Sequence, residues 1–135
     1  ALKSTVHTNS RSVAADDFFT GMFETALEED EIIESISFSK PTKANYVKFP
    51  NPASRYAMVG VFVAQFGEGV RVAVTGAGEG GVFRHKEMET ALSSNYSSDS
   101  LSSLNIASDG LISDLHASAE YRANLIKEMT KRAVV

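Results

Sequence analysis

Apolar residues fall in short runs along this chain, and their period changes several times. Met58 to Phe66 (MVGVFVAQF) and Val70 to Thr75 (VRVAVT) form the clearest pair. Both are rich in β-branched residues, and Gly67-Glu68-Gly69 joins them, which predicts a β-hairpin. In the second run Val70, Val72 and Val74 share a face, with Arg71, Ala73 and Thr75 opposite. The first run is apolar on both faces except at Gln65, which predicts the more central strand. Glu31 to Phe38 reads as a further strand that Pro41 ends. Ile32, Glu34, Ile36 and Phe38 fall on one face and Ile33, Ser35 and Ser37 on the other. Residues 39–44 read as a linker. Tyr46 to Phe49 reads as a short strand stopped by Pro50 and Pro52.

Helical spacing appears in three places. Phe19, Phe23 and Leu27 are spaced by four, so one or two short helical turns are predicted within Ala15 to Leu27, interrupted at Gly21. Arg84 to Leu92 carries Met88, Ala91 and Leu92 at i, i+3 and i+4. Ser118 to Ala133 has a serine in the N-cap position and Glu120 in the first turn, where the helix dipole favours an acid. Its predicted buried stripe is Tyr121, Leu125, Met129 and Ala133, with Ile126 beside it. Residues 93–103 are serine-rich and read as a loop with one short helix at its end. Residues 1–14 are polar without a clear period. The fold class predicted is α+β, an antiparallel sheet of three to four strands packed on about three helices.

The 135 residues suffice for one domain with a core, and the formal net charge is −4. That balance gives no footprint for nucleic acid or an anionic membrane. The acidic run Glu28, Glu29, Asp30 and Glu31 reads as a solvated turn. There are no cysteines, which excludes disulfides, thiolate zinc sites and cysteine-ligated iron–sulfur clusters within this sequence. The composition fits a reducing, cytoplasmic location. No signal peptide or apolar run of membrane-spanning length is present. The chain opens without an initiator methionine, which points to a fragment or a processed product.

Candidate chemistry centres on AVTGAGEGGVFRHKEMETAL, residues 73–92. Gly76, Gly78 and Gly81 make the pattern G-x-G-x-x-G behind a valine-rich strand. A dinucleotide site also needs a helix opening on the third glycine and a parallel strand ending in an acid about 20 residues on. Here Val82-Phe83-Arg84 follows the third glycine, the downstream region is serine-rich, and Glu79 would oppose a pyrophosphate. A turn using positive φ explains the glycines better. His7, His85 and His116 lie far apart without metal-ligand spacing. No G-x-S-x-G elbow exists. Asp16-Asp17 reads as a helix N-terminus. No self-contained catalytic site is evident.

Three segments resemble the C-terminal half of the flavoprotein, or medium, subunit of molybdenum hydroxylases, the family of aerobic carbon monoxide dehydrogenase and xanthine dehydrogenase. They are DFFTGMFETALEEDEIIESISFSKP at 17–41, the pair NYVKF…YAMVGVFV and VRVAVTGAGEGGVFRHKEMETAL, and SDLHASAEYRANLIKEMTKRA at 113–133. Their order and spacing cover most of the chain. The resemblance implies that residues 1–40 are the tail of an FAD-binding domain and residues 41–135 a compact domain like the C-terminal domain of the carbon monoxide dehydrogenase flavoprotein. It implies electron transfer from iron–sulfur clusters on a small subunit to FAD, with substrate oxidised at a molybdenum cofactor on a large subunit. Both subunits are the implied partners.

The family's two glycine-rich FAD loops do not occur in this sequence. The resemblance therefore implies a truncated piece, inactive alone, with FAD bound in the intact subunit and none by the piece. An uncovered face makes a homodimer of the piece a candidate assembly. Ile32 and Ile33 match the hydrophobic pair that the family places against the flavin, and Lys48 matches a lysine near the ring. The sequence departs from the family after Lys48: a basic cluster is missing, and Arg55 stands where an acid is usual. Two other readings stay open, a stand-alone interaction domain without flavin and a nucleotide-binding enzyme using Gly76 to Gly81.

Overall fold

The computed structural model describes residues 1–134. Its elements in chain order are strands β1 (Thr5–Thr8) and β2 (Ser12–Ala14), helix α1 (Ala15–Phe18), strands β3 (Phe19–Gly21), β4 (Glu24–Thr25), β5 (Ile33–Ser37), β6 (Lys43–Pro50), β7 (Ala57–Phe66), β8 (Gly69–Gly78) and β9 (Gly81–Arg84), and helices α2 (Lys86–Ser94) and α3 (Ala119–Ala133). A 3-10 turn spans Ser98–Leu101. The fold is α+β, with three antiparallel sheets in the orders β2-β1-β5, β3-β4 and β6-β7-β8-β9.

The four-stranded sheet carries the core. The predicted hairpin forms with Phe66 opposite Gly69, and β7 and β8 are the two inner strands. Alternation separates two faces. Val59, Val61, Val63, Val72 and Val74 are fully buried and cluster with Met88 and Leu92 of α2 and Leu125, Ile126 and Met129 of α3. Burying a valine or leucine side chain contributes about 1.5–3 kcal/mol, so this valine face is the main source of cohesion. Ser118 caps α3 by accepting from the Tyr121 amide at 3.2 Å. Tyr121, predicted in the buried stripe, is 43% exposed. The buried positions beside Leu125 and Met129 are Arg122, Ala123 and Thr130 instead.

Several expectations need correction. The helix predicted within residues 15–27 is only the four residues of α1, followed by the β3–β4 hairpin. Phe23 at its turn has φ of 60° and is wholly exposed, a backbone state no helix accommodates. The linker predicted at 39–44 gives way early, since Lys43 and Ala44 already pair with Gln65 and Ala64 of β7. Val82 and Phe83 form β9, where Val74 pairs Phe83 and Ala73 pairs Arg84, so α2 starts at Lys86. Residues 1–14 hold the β1–β2 hairpin. The acidic run is not wholly solvated: the Glu31 carboxylate accepts from Thr8 Oγ1 at 2.7 Å, Ser10 Oγ at 3.0 Å, Arg11 Nε at 2.9 Å and the Glu28 amide at 2.9 Å. The Arg11 guanidinium, then these other donors, hold that carboxyl far below the usual carboxylate range.

Candidate functional site: a cleft between two sheets

The face of the four-stranded sheet away from α2 and α3 is built from the alternate residues of the same strands. Gly60, Phe62 and Ala64 of β7 stand there with Arg71, Ala73 and Thr75 of β8, and Tyr46 and Lys48 pair across from Phe62 and Gly60. The short helix α1 meets this face, with Asp16 paired to Arg71. The sheet β2-β1-β5 approaches it from the other side and leaves an apolar cleft of about 340 Å³. Val6, Phe18, Phe19, Ile33, Ile36, Phe62 and Ala73 line it.

Strict alternation would put Ile33 and Ile36 on opposite faces of β5, as the sequence predicts. Instead both line the cleft. The ladder between β1 and β5 slips where His7 pairs Ser35 and Thr8 pairs Ile33, which leaves Glu34 unpaired. Such a bulge re-aims the side chains beyond it. Ile33 therefore reaches the cleft, whereas Ile32 lies outside its lining and is 66% exposed. Lys48 stands on the same sheet face as Phe62, but its Nζ donates to the Arg55 carbonyl at 3.0 Å. Arg55, with φ of 62°, occupies a loop that Asn51 closes by accepting from Ala53 and Ser54 amides at 2.9 and 3.3 Å. Ile33 and Lys48 thus border one sheet face from different sheets, while Ile32 sits apart.

Beside the cleft, Gly60 makes room for the Tyr46 hydroxyl and the Thr75 side chain. A Cβ there would meet the Tyr46 hydroxyl and would lie 2.7 Å from Thr75 Oγ1. The Tyr46 ring lies 6.5 Å from that of Phe62. A lone glycine inside a β-branched run is the sequence signal that could have located this close approach.

Charge closes one end of the cleft. The Asp16 carboxylate pairs with Arg71 and, at 3.0 Å, with Arg84 Nη1. Arg84 also donates to Glu89 at 2.7 and 2.6 Å, and Glu89 accepts from the Val72 amide at 3.0 Å. Burial pushes the Asp16 and Glu89 carboxyls up, but their arginine partners outweigh it and hold both below the usual range. Asp16, predicted as a helix N-terminal acid, is in the first turn of α1 and also ties that turn to the large sheet. Its partners are 55 and 68 residues away, so no local pattern reveals them.

The glycine pattern has another role. Gly76 has φ of 75°, and a Cβ there would strike the Ala57 carbonyl oxygen. Gly78 pairs Gly81 across the β8–β9 turn. Every strand pair is antiparallel among the described residues, so the parallel βαβ unit of a dinucleotide site is not formed. His7 bonds Ser12 and Ser37 at 2.9 and 2.8 Å, and His85 sits beside Glu87. Among the described residues no three His, Cys, Asp or Glu side chains group as a metal site, and no helix is long and apolar enough to cross a membrane.

No family model matches the chain. It is 33% identical to the nicotine 6-hydroxylase medium subunit of Paenarthrobacter nicotinovorans, over 93% of this chain and 47% of that protein. The fold is similar to a chain in the crystal structure of quinoline 2-oxidoreductase from Pseudomonas putida 86, with a TM-score of 0.77 at 24% identity, over 98% of this chain and 51% of that one. The chain spans about half the length of each relative. Sequence and fold agree that this chain resembles the C-terminal part of the FAD-binding medium subunit of molybdenum hydroxylases.

Proposed function

We propose that this chain is the C-terminal part of the flavoprotein subunit of a molybdenum hydroxylase, inactive alone, acting in the cytoplasm beside an iron–sulfur subunit and a molybdenum-cofactor subunit. The observation that carries this reading is the 33% identity to a medium subunit along 93% of the chain. In that setting residues 1–40 are the tail of an FAD-binding domain and residues 41–135 are the compact C-terminal domain beside it.

The cleft fits one face of a flavin ring. Its walls are apolar, and Phe62 and Ala73 of the large sheet form one side of it. Ile33 and Phe62 would exclude water from the ring, Ile32 would border it from the adjoining loop, and Lys48 would supply positive charge beside it. Bound FAD would accept electrons from the iron–sulfur clusters and pass them to an acceptor. This chain's part is to hold and desolvate the ring. The sequence here lacks the glycine-rich loops that grip the pyrophosphate, so the 135 residues alone are expected to retain no stoichiometric FAD.

The test is the visible spectrum of the purified chain, followed by reconstitution. A full flavin spectrum from these residues overturns the assignment of the main FAD site elsewhere. Co-purification with a molybdenum subunit and an iron–sulfur subunit from the source cell supports the assembly. Recovery without either, as a monomer or a homodimer, favours an interaction domain without flavin.

A further inference from the structure

A second cavity lies away from the cleft, where the β8–β9 hairpin meets α3 and the loop before Leu111. Its volume is about 470 Å³, within the range of small-molecule sites. Ile126 and Leu111, both buried, join Phe83 and Ile106 to make an apolar lining. The wall is stitched in place: the Glu79 amide donates to the Gly110 carbonyl and the Ile112 amide to the Ala77 carbonyl, each at 2.9 Å. Gly78, Gly80 and Gly81 leave the rim as bare backbone, and a Cβ at Gly80 would meet nothing.

The charges at this cavity are one-sided. Glu87 and Asp109 present carboxylates on its rim, both exposed. The cation that also borders it, Arg84, is bound by Asp16 and Glu89. The positive end of the α2 dipole already meets two first-turn acids, Glu87 and Glu89. His85 adds an unsatisfied group: its Nδ1 is buried and makes no hydrogen bond, although Glu87 Oε2 is 3.2 Å away. An apolar pocket with anionic rim groups selects a ligand of matching form.

We propose that this cavity binds a small planar molecule with an apolar body and one protonated nitrogen, of the arylalkyl ammonium or amidinium class. The body fills the space between Phe83, Ile106 and Ile126, and the cation faces Glu87 and Asp109. This assignment is independent of the flavin reading, because none of its residues lines the cleft.

The experiment is an NMR titration of the isotope-labelled chain with benzamidine, benzoate and benzyl alcohol. Benzamidine is expected to give saturable amide shifts at Gly78, Gly80, Gly81 and Gly110, with benzoate about tenfold weaker or more. The double variant E87Q/D109N, which changes only exposed side chains, should lose about tenfold in benzamidine affinity and leave benzyl alcohol unaffected. Unchanged shifts of Val59 to Val74 verify its fold. Ile106→Trp, which fills the cavity, should abolish binding of both. The proposal is overturned if benzoate binds as well as benzamidine, if the double variant binds benzamidine normally, or if no saturable shift appears at the four glycines.

Discussion

Arg122 Nη1 donates to the Met58 carbonyl oxygen at 2.7 Å, joining α3 to the start of β7 across 64 residues of sequence. The same nitrogen reaches the Gly76 carbonyl at 3.1 Å, and Nη2 pairs with Asp114 at 2.8 Å. With its side chain 4% exposed, this guanidinium staples two strand ends to the helix. Arg122→Met strips those carbonyls of their donor and should cost about 3 kcal/mol. Thermal unfolding of the variant should shift down by about 10 °C; an unchanged midpoint would show that water replaces the donor at no cost.

Gly76 allows a second close approach. Its φ of 75° and the Ala57 carbonyl oxygen beside it both oppose a side chain. Gly76→Ala should destabilise by about 2 kcal/mol or more. Gly80→Ala, where a Cβ meets open space, should change stability by less than about 0.5 kcal/mol. Chemical denaturation of the pair reads the contrast, and equal losses would contradict it.

Acid should weaken the link between the sheets. Asp16 and Glu89 have folded-state values held below their unfolded ones. Their contribution is therefore complete above the unfolded carboxyl range, about pH 4, and is lost as pH falls through the folded values. Stability measured against pH should decline below about pH 5, and the decline should be shallower in Asp16→Asn. Glu89→Gln, whose parent carboxylate holds Arg84 and the Val72 amide, should cost about 2 kcal/mol at neutral pH. A variant with the wild-type acid limb would remove the network from the explanation.

Gly60→Ala tests the sheet face beside the cleft. The added methyl displaces Tyr46 and crowds Thr75. If the flavin ring rests there, FAD retention by the assembled subunit should fall several-fold while the isolated chain keeps its secondary structure. Full FAD retention would take the ring off this face.

Much of the large sheet was legible before the structure, for local reasons. The β-branched runs of β7 and β8 and the short glycine turn between them encode their pairing, and Ser118 marks the start of α3 through its own hydroxyl. The rest of the fold is non-local or too short to show in the sequence. The four-spaced Phe19 and Phe23 imitate a helix because spacing takes no account of the positive φ at Phe23. Val82 to Arg84 are too few to read as a strand until Val74 pairs with Phe83 and Ala73 with Arg84. The unpaired Glu34, which turns Ile33 and Ile36 to one side, is visible only opposite His7 and Thr8. The family resemblance names Ile32, Ile33 and Lys48, of which Ile33 lines the cleft, whereas Phe62 and the Asp16 network come together only once distant strands meet.

The small and large sheets share no strand. The polar ties that cross between them include Asp16 with its two arginines, Lys3 with Glu68, and the Lys3 ammonium 4.5 Å over the Phe66 ring. Links of this kind at a surface yield before a packed valine core. Amides of β1 and β5 should thus exchange with solvent through openings that leave β7 and β8 protected. The cleft walls can then separate while the valine core stays packed, so the cleft is the part of the fold that can widen.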